Sequence, residues 1–331
     1  MAPRRLLLAL SIAALVATAC SGATPTASPS TPAAASASTG AVCDSAPEVG
    51  QADGWGPQST TPTLTPILIS NAITCGRVRL LFLYLDDQNG VASAPDRTAK
   101  VAFYDLGRDP NKVVATAEGA FVWMIPDERG MYVVDVDLPE AGIWGAEFTT
   151  EAPGSPAETA RMTFGVLDTP TAVAVGQKAP ATVTPTLADV GGDVTKISTD
   201  DDPDPAFYET SVAAALADHE PFMLVFATPK FCLSAQCGPT LDEMKKVAAA
   251  NPTVTFINVE PYELQEVDGQ LQPVLDANNG LIAVDATDAW GLLSEPWIFA
   301  VDRDGIVRGS YAITITPAEL EAIVPIISAG G

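Results

Sequence analysis

The chain has 331 residues, with 41 acidic against 17 basic side chains, one histidine, five cysteines and a formal charge of −24. Such an acidic excess argues against nucleic-acid binding and against an anionic lipid surface as partner, because both are held by clustered Lys and Arg. The length beyond residue 60, about 270 residues, exceeds what one core usually organises, so two domains are expected.

The N-terminus reads MAPRRLLLALSIAALVATAC: Arg4 and Arg5, an apolar stretch from Leu6 to Val16, then small residues up to Cys20. This predicts a secretory signal over 1–19, too short to span a bilayer as a stable helix. The ending ATAC is similar to the bacterial lipobox, in which a peptidase cuts before the cysteine and a diacylglycerol thioether is attached to it. That resemblance implies Cys20 as the lipidated first residue of the mature chain. Residues 20–60 continue after Cys20 with SGATPTASPSTPAAASASTG, small, polar and proline-punctuated, and read as a flexible tether. Each buried acyl methylene contributes roughly 0.8 kcal/mol, so two or three chains anchor firmly. The expected location is the extracytoplasmic face of a bacterial membrane.

With Cys20 set aside, four cysteines remain: Cys43, Cys75, Cys232 and Cys237. An even remainder in an oxidising compartment suggests pairing. Cys43 lies in the tether and Cys75 just before a strand, so a structural disulfide between them would pin the tether to the first domain. Sequence alone does not fix that pairing.

Over 61–168 the chain runs through RLLFLYLDD, AKVAFYDL, AFVWMIP, MYVVDVDL, GIWGAEFTT and ARMTFGVLD, separated by Gly, Pro, Asp and Asn clusters. In MYVVDVDL, Tyr132, Val134, Val136 and Leu138 share one face and Asp135 and Asp137 the other. This period of two predicts an antiparallel all-β sandwich. Trp123 and Trp144 read as core. The phrase GMYVVDVDLPEAGIWGAEF resembles the end of immunoglobulin-like domains of bacterial extracytoplasmic proteins, which implies a spacer or docking module.

A Pro/Thr-rich linker, 169–203, precedes a region of different texture, 204–331. A helical pattern near 206–218 is followed by PFMLVFA, a buried strand, then a helix through Leu241, Met244 and Ala248, then the strand VTFINV. After a long irregular segment, WIFAVD and IVRGSYA flank a hairpin turn at Arg303, Asp304 and Gly305. The last helix carries Thr316 as N-cap, Pro317 in first position and Glu319 completing a capping box. FMLVFATPKFC and AWGLLSEPWIFAVDRDGIV are similar to the active-site strand and late proline segment of membrane-anchored thioredoxin-like proteins, over roughly 174–331. The resemblance implies an α/β thioredoxin-like domain with Cys232 and Cys237 as the exchanging pair. It also implies a cis Pro296 shaping the client groove, no organic cofactor, and protein thiol/disulfide clients or a membrane electron donor as partners.

Four residues, Leu233 to Gln236, separate the two cysteines where that family has two. Five positions along a regular α-helix put Cα atoms roughly 8 to 9 Å apart, beyond disulfide reach. A looped 232–237 segment is therefore expected, with a helix beginning just after it at Gly238 and Pro239 and Thr240 and Glu243 available for a capping box. Which cysteine attacks stays open, with Cys232 favoured by its position after the strand and Phe231. No acid lies in FMLVF to relay protons. TPKFC lacks the threonine spacing and the arginine of a peroxiredoxin, and His219, at a helix end, is not placed for copper. The expected activity is thiol-disulfide exchange; the alternative is a non-enzymatic surface binding or scaffold module with Cys232–Cys237 as a permanent staple and, after it, a thiol peroxidase.

Overall fold

The computed structural model describes residues 43–50, 52–56, 62–125 and 127–329. The expected signal, most of the tether and Cys20 lie outside the described residues. Strands β1 (Thr65–Leu68), β2 (Gly76–Leu85), β3 (Thr98–Asp105), β4 (Val113–Glu118), β5 (Ala120–Ile125), β6 (Arg129–Leu138), β7 (Gly142–Glu151) and β8 (Glu158–Val166) form two antiparallel four-stranded sheets. Their orders are β1-β2-β6-β5 and β4-β3-β7-β8. Alternation explains the layering. Tyr132, Val134, Val136 and Leu138 of β6 are buried with Phe82, Phe103, Trp144 and Phe148, while Asp135 and Asp137 stay exposed. Trp144 is core; Trp123, expected there too, is 41% exposed on β5.

Beyond 168 come α1 (Val212–Ala217), β9 (Phe222–Phe226), α2 (Cys237–Ala250), β10 (Thr255–Val259), β11 (Leu264–Val267), β12 (Gln270–Pro273), α3 (Asp285–Trp290), β13 (Trp297–Val301), β14 (Val307–Ala312) and α4 (Pro317–Ser328). One sheet has the order β10-β9-β13-β14, with β10 parallel to β9 and the other pairs antiparallel. All five residues of β9 and of β13 are buried, as expected of strands covered on both faces. Met223, Val225 and Ile298 face Leu241 and Met244 of α2 and Leu320, Ile323 and Ile327 of α4. Phe222, Leu224, Phe226 and Phe299 face α1 and Trp290 of α3.

This architecture corrects the expected fold class, an immunoglobulin-like sandwich followed by an α/β thioredoxin-like domain. The described chain is mostly β, with fourteen strands in four sheets against four α-helices, two of them only six residues long. The physical reason lies in the local sequence. FMLVF, TFINV and WIFAV form the strands expected of them, but the helices between them are short, α1 and α3 spanning six residues each and only 237–250 and 317–328 running longer. The segment expected to be irregular also turns into strand: Asp268 and Gly269, both at positive φ, join β11 to β12, the pattern of a two-residue hairpin. The assignment of a thioredoxin-like domain is therefore not carried forward.

Residues from both parts meet within one compact unit that contains all the described residues. Arg79 of β2 donates through Nε (2.5 Å) and Nη2 (3.0 Å) to the carboxylate of Glu319 in α4. Ile313, just after β14, is buried with Leu81, Leu83, Met131 and Val133.

Candidate functional site

The loop from Thr228 to Gln236 leaves the end of β9 and delivers the chain to α2. Phe231 N–H closes a turn on the Thr228 carbonyl, and Ala235 takes a left-handed φ of 60°. This irregular path brings the Cα atoms of Cys232 and Cys237 to 6.0 Å, and the two side chains form a disulfide. A regular helix would have kept them too far apart. The helix starts at Cys237, with Gln236 as N-cap and no side chain capping it. The capping box expected from Thr240 and Glu243 is thus replaced: Thr240 is already inside the helix, its N–H bonded to the Gln236 carbonyl.

The two sulfurs are not equivalent. Cys237 is fully buried, whereas Cys232 is half-buried. The Cys237 backbone N–H, first of the helix and without a partner one turn back, donates to Cys232 Sγ at 3.2 Å. Ser234 Oγ lies 3.4 Å from the same sulfur. A helix N-terminus favours negative charge, so once the disulfide is opened this position would favour thiolate at Cys232, the species that attacks a disulfide.

Pro296 follows a cis peptide bond from Glu295, and Glu295 binds the cysteine loop directly. Its carbonyl accepts from Ser234 Oγ at 2.8 Å and its Oε1 from the Leu233 N–H at 2.8 Å. Oε2 accepts from the Tyr262 hydroxyl at 2.5 Å. Burial, and then this bond to Glu295, hold the Tyr262 phenol above its usual range. Glu295 is buried, and a carboxylate oxygen lies within 4.8 Å of both cysteine sulfurs. These three residues are the group among the described residues whose donor atoms could converge on a metal ion. A negative charge so near opposes thiolate formation, but it is partly dispersed by the two bonds it accepts.

A second acid lies at the root of the loop. Glu260, just past β10, accepts from the Thr199 N–H at 2.6 Å, and Thr199 Oγ1 lies 3.3 Å from Thr228 Oγ1. Burial pushes the Glu260 carboxyl up to about 7, with Thr228 and Thr199 pulling it back, and its Oε2 has no hydrogen-bond partner.

The structure thus joins Cys232 to Cys237 and sets Pro296 immediately after Glu295, the residue that binds their loop. Cys43 and Cys75 lie elsewhere, disulfide-bonded with Cα atoms 6.3 Å apart; Cys75 is part of the sandwich core and Cys43 packs against it. His219 sits at a helix end with Nδ1 3.1 Å from the Arg303 carbonyl. Sequence reasoning missed Glu295, Tyr262 and Glu260. The available signal for Glu295 was its place immediately before the proposed cis proline.

No family model matches the chain, and no curated protein matches it. Among solved structures, a DUF4426 family protein from Pseudomonas aeruginosa is similar at 10% identity and a TM-score of 0.21. The match covers 28% of this chain and 66%, just under two thirds, of that one. That likeness is too slight to assign a fold or a family. With fourteen strands in four sheets against four α-helices among the described residues, the resemblance to lipoproteins carrying a thioredoxin-like domain after an immunoglobulin-like sandwich is withdrawn.

Proposed function

We propose that Cys232 and Cys237 are the working couple of a thiol-disulfide oxidoreductase acting on protein clients. In this reading the protein is tethered through Cys20 at the extracytoplasmic face of the membrane. The observation that carries it is the asymmetry of the pair: a half-buried sulfur at a helix start, backed by a fully buried one. The Cys232 thiolate attacks a client disulfide, forming a mixed disulfide and releasing one client thiolate. The Cys237 thiolate then attacks Cys232 Sγ, releasing the second client thiol. Two electrons pass from the pair to the client, and the reverse sequence oxidises a client dithiol. Reduced pairs are regenerated by a partner dithiol or a membrane electron donor.

Differential alkylation at graded redox potential tests this. The pair is expected to titrate between roughly −120 and −270 mV, the span of known oxidoreductases. Resistance below roughly −300 mV would identify it as a permanent staple on a non-enzymatic surface protein. Replacing the resolving cysteine, Cys237→Ser, is expected to trap client on Cys232 as a reductant-sensitive adduct. Trapping only in Cys232→Ser would reverse the roles.

A further inference from the structure

We infer that the reduced site binds one divalent cation of the borderline, thiolate-accepting class, Zn2+ in kind, through Cys232 Sγ, Cys237 Sγ and a carboxylate oxygen of Glu295. The three donor atoms already lie within 4.8 Å of one another. A tetrahedral zinc has thiolates near 2.3 Å and a carboxylate oxygen near 2.0 to 2.2 Å, which puts neighbouring donors roughly 3.5 to 3.8 Å apart. Opening the disulfide separates the sulfurs toward that spacing on a loop whose Cα atoms are 6.0 Å apart.

Two observations point to a cation there. The first is charge. Glu295 is 3% exposed, and the ion pairs among the described residues do not include it. Reduction would add one or two thiolates beside a buried carboxylate that pairs with no Lys or Arg among the described residues, an arrangement that favours either proton or cation uptake. The second is support. The Leu233 N–H and the Tyr262 hydroxyl each hold one Glu295 oxygen, as outer-shell bonds hold and orient metal-ligating carboxylates. Two sulfurs exclude Mg2+ and Ca2+, which take oxygen ligands.

A dithiol or phosphine reductant supplies two electrons and breaks the S–S bond, leaving two thiols. The cation then displaces their two protons to solvent and forms two metal–sulfur bonds and one metal–oxygen bond. The inference goes beyond the exchange reading and shares with it only the requirement that the pair can be reduced. Oxidation of the pair would eject the ion, so the site is a redox-gated one.

The test uses the full chain, reduced with a phosphine without oxygen, its thiols counted, then titrated with Co2+ and back-titrated with Zn2+. The expected result is one Co2+ per chain with thiolate-to-cobalt charge-transfer absorption, displaced by Zn2+ with release of about two protons. This uptake should be absent from the oxidised chain and from Cys232→Ser/Cys237→Ser, a variant that keeps the other cysteines and so accounts for any cation they hold. Glu295→Gln should weaken Zn2+ binding about tenfold or more while the sulfur charge-transfer band persists. Glu295→Asp, which retracts the oxygen by one methylene, is read in the same way should the first variant fail to melt like its parent in the oxidised state. A reduced pair that takes up no Co2+, or carboxylate variants that bind as tightly as the parent, overturns the site and leaves disulfide exchange standing. A pair that the phosphine cannot open overturns both.

Discussion

Glu260, just past β10, has one oxygen bonded to the Thr199 N–H and the other without a partner, and burial raises its carboxyl from 4.5 to about 7. The raised value has a definite sign for stability. Between the unfolded value and the folded one the native chain holds a proton that the unfolded chain has released. Stability from this group is therefore fully present below about pH 4.5 and is lost as pH rises toward 7, by about 1.4 kcal/mol per unit and on the order of 3 kcal/mol in all. Urea unfolding of Glu260→Gln across pH 4 to 8 is expected to lack this slope, so that the variant gains on the parent as pH rises. Parallel curves for the two proteins would show that Glu260 ionises normally. The residues whose chemistry is intrinsic, Cys232 and Cys237, were legible from type and spacing. Glu295 and Glu260 were not, because what makes them notable is burial and a partner far along the chain: Glu295 meets Leu233 across 62 positions and Glu260 meets Thr199 across 61.

The helices differ in how their first turns are held. α4 has the full reciprocal box, with Thr316 Oγ1 accepting from the Glu319 N–H at 3.2 Å and Glu319 Oε2 accepting from the Thr316 N–H at 2.8 Å. The same carboxylate receives Arg79. Two substitutions separate these roles. Thr316→Ala removes the cap and is expected to cost about 1 kcal/mol at any salt concentration. Glu319→Gln preserves the box, since glutamine also serves there, but ends the ion pair. Its cost, about 1 kcal/mol for a partly exposed pair, should shrink in 1 M salt. Denaturant midpoints with and without salt decide between them, and equal salt dependence in both variants would mean that the Arg79 pair contributes nothing measurable. This box was readable because it is local, four residues with a Pro at the start. The start of α2 misled for the opposite reason: Gly238, Pro239, Thr240 and Glu243 form a plausible local signal, but the loop ending at Cys237 and the burial of Cys237 and Thr240 begin the helix earlier. The Asp268–Gly269 hairpin shows a signal present in the sequence and passed over.

At the scale of the molecule, the Cys43–Cys75 disulfide closes a sequence separation of 32. Loop-closure entropy assigns such a cross-link about 3 to 4 kcal/mol. Cys43→Ser/Cys75→Ser should lose roughly that much stability and leave the redox titration of Cys232 and Cys237 unchanged; a shifted titration would mean that the two pairs communicate. The contact between the sandwich and the second sheet is more local, and it touches the site. The Ile313 N–H donates to the Pro296 carbonyl at 2.8 Å, while its side chain packs among Leu81, Leu83, Met131 and Val133. Ile313 sits at a φ of 68°, a region costly for a β-branched residue, on the order of 1 to 3 kcal/mol. Burial of an isoleucine offsets that cost, since truncating one to alanine typically loses about 2 to 5 kcal/mol. The two terms can be told apart. Ile313→Ala removes the packing but keeps a Cβ at positive φ, whereas Ile313→Gly removes both packing and backbone penalty. Both should destabilise, and the glycine variant should be no less stable than the alanine variant. At an ordinary backbone position the order would be reversed, so an alanine variant more stable by about 1 kcal/mol in denaturant titrations would refute the strained backbone, and with it the view that sandwich packing holds this segment against Pro296.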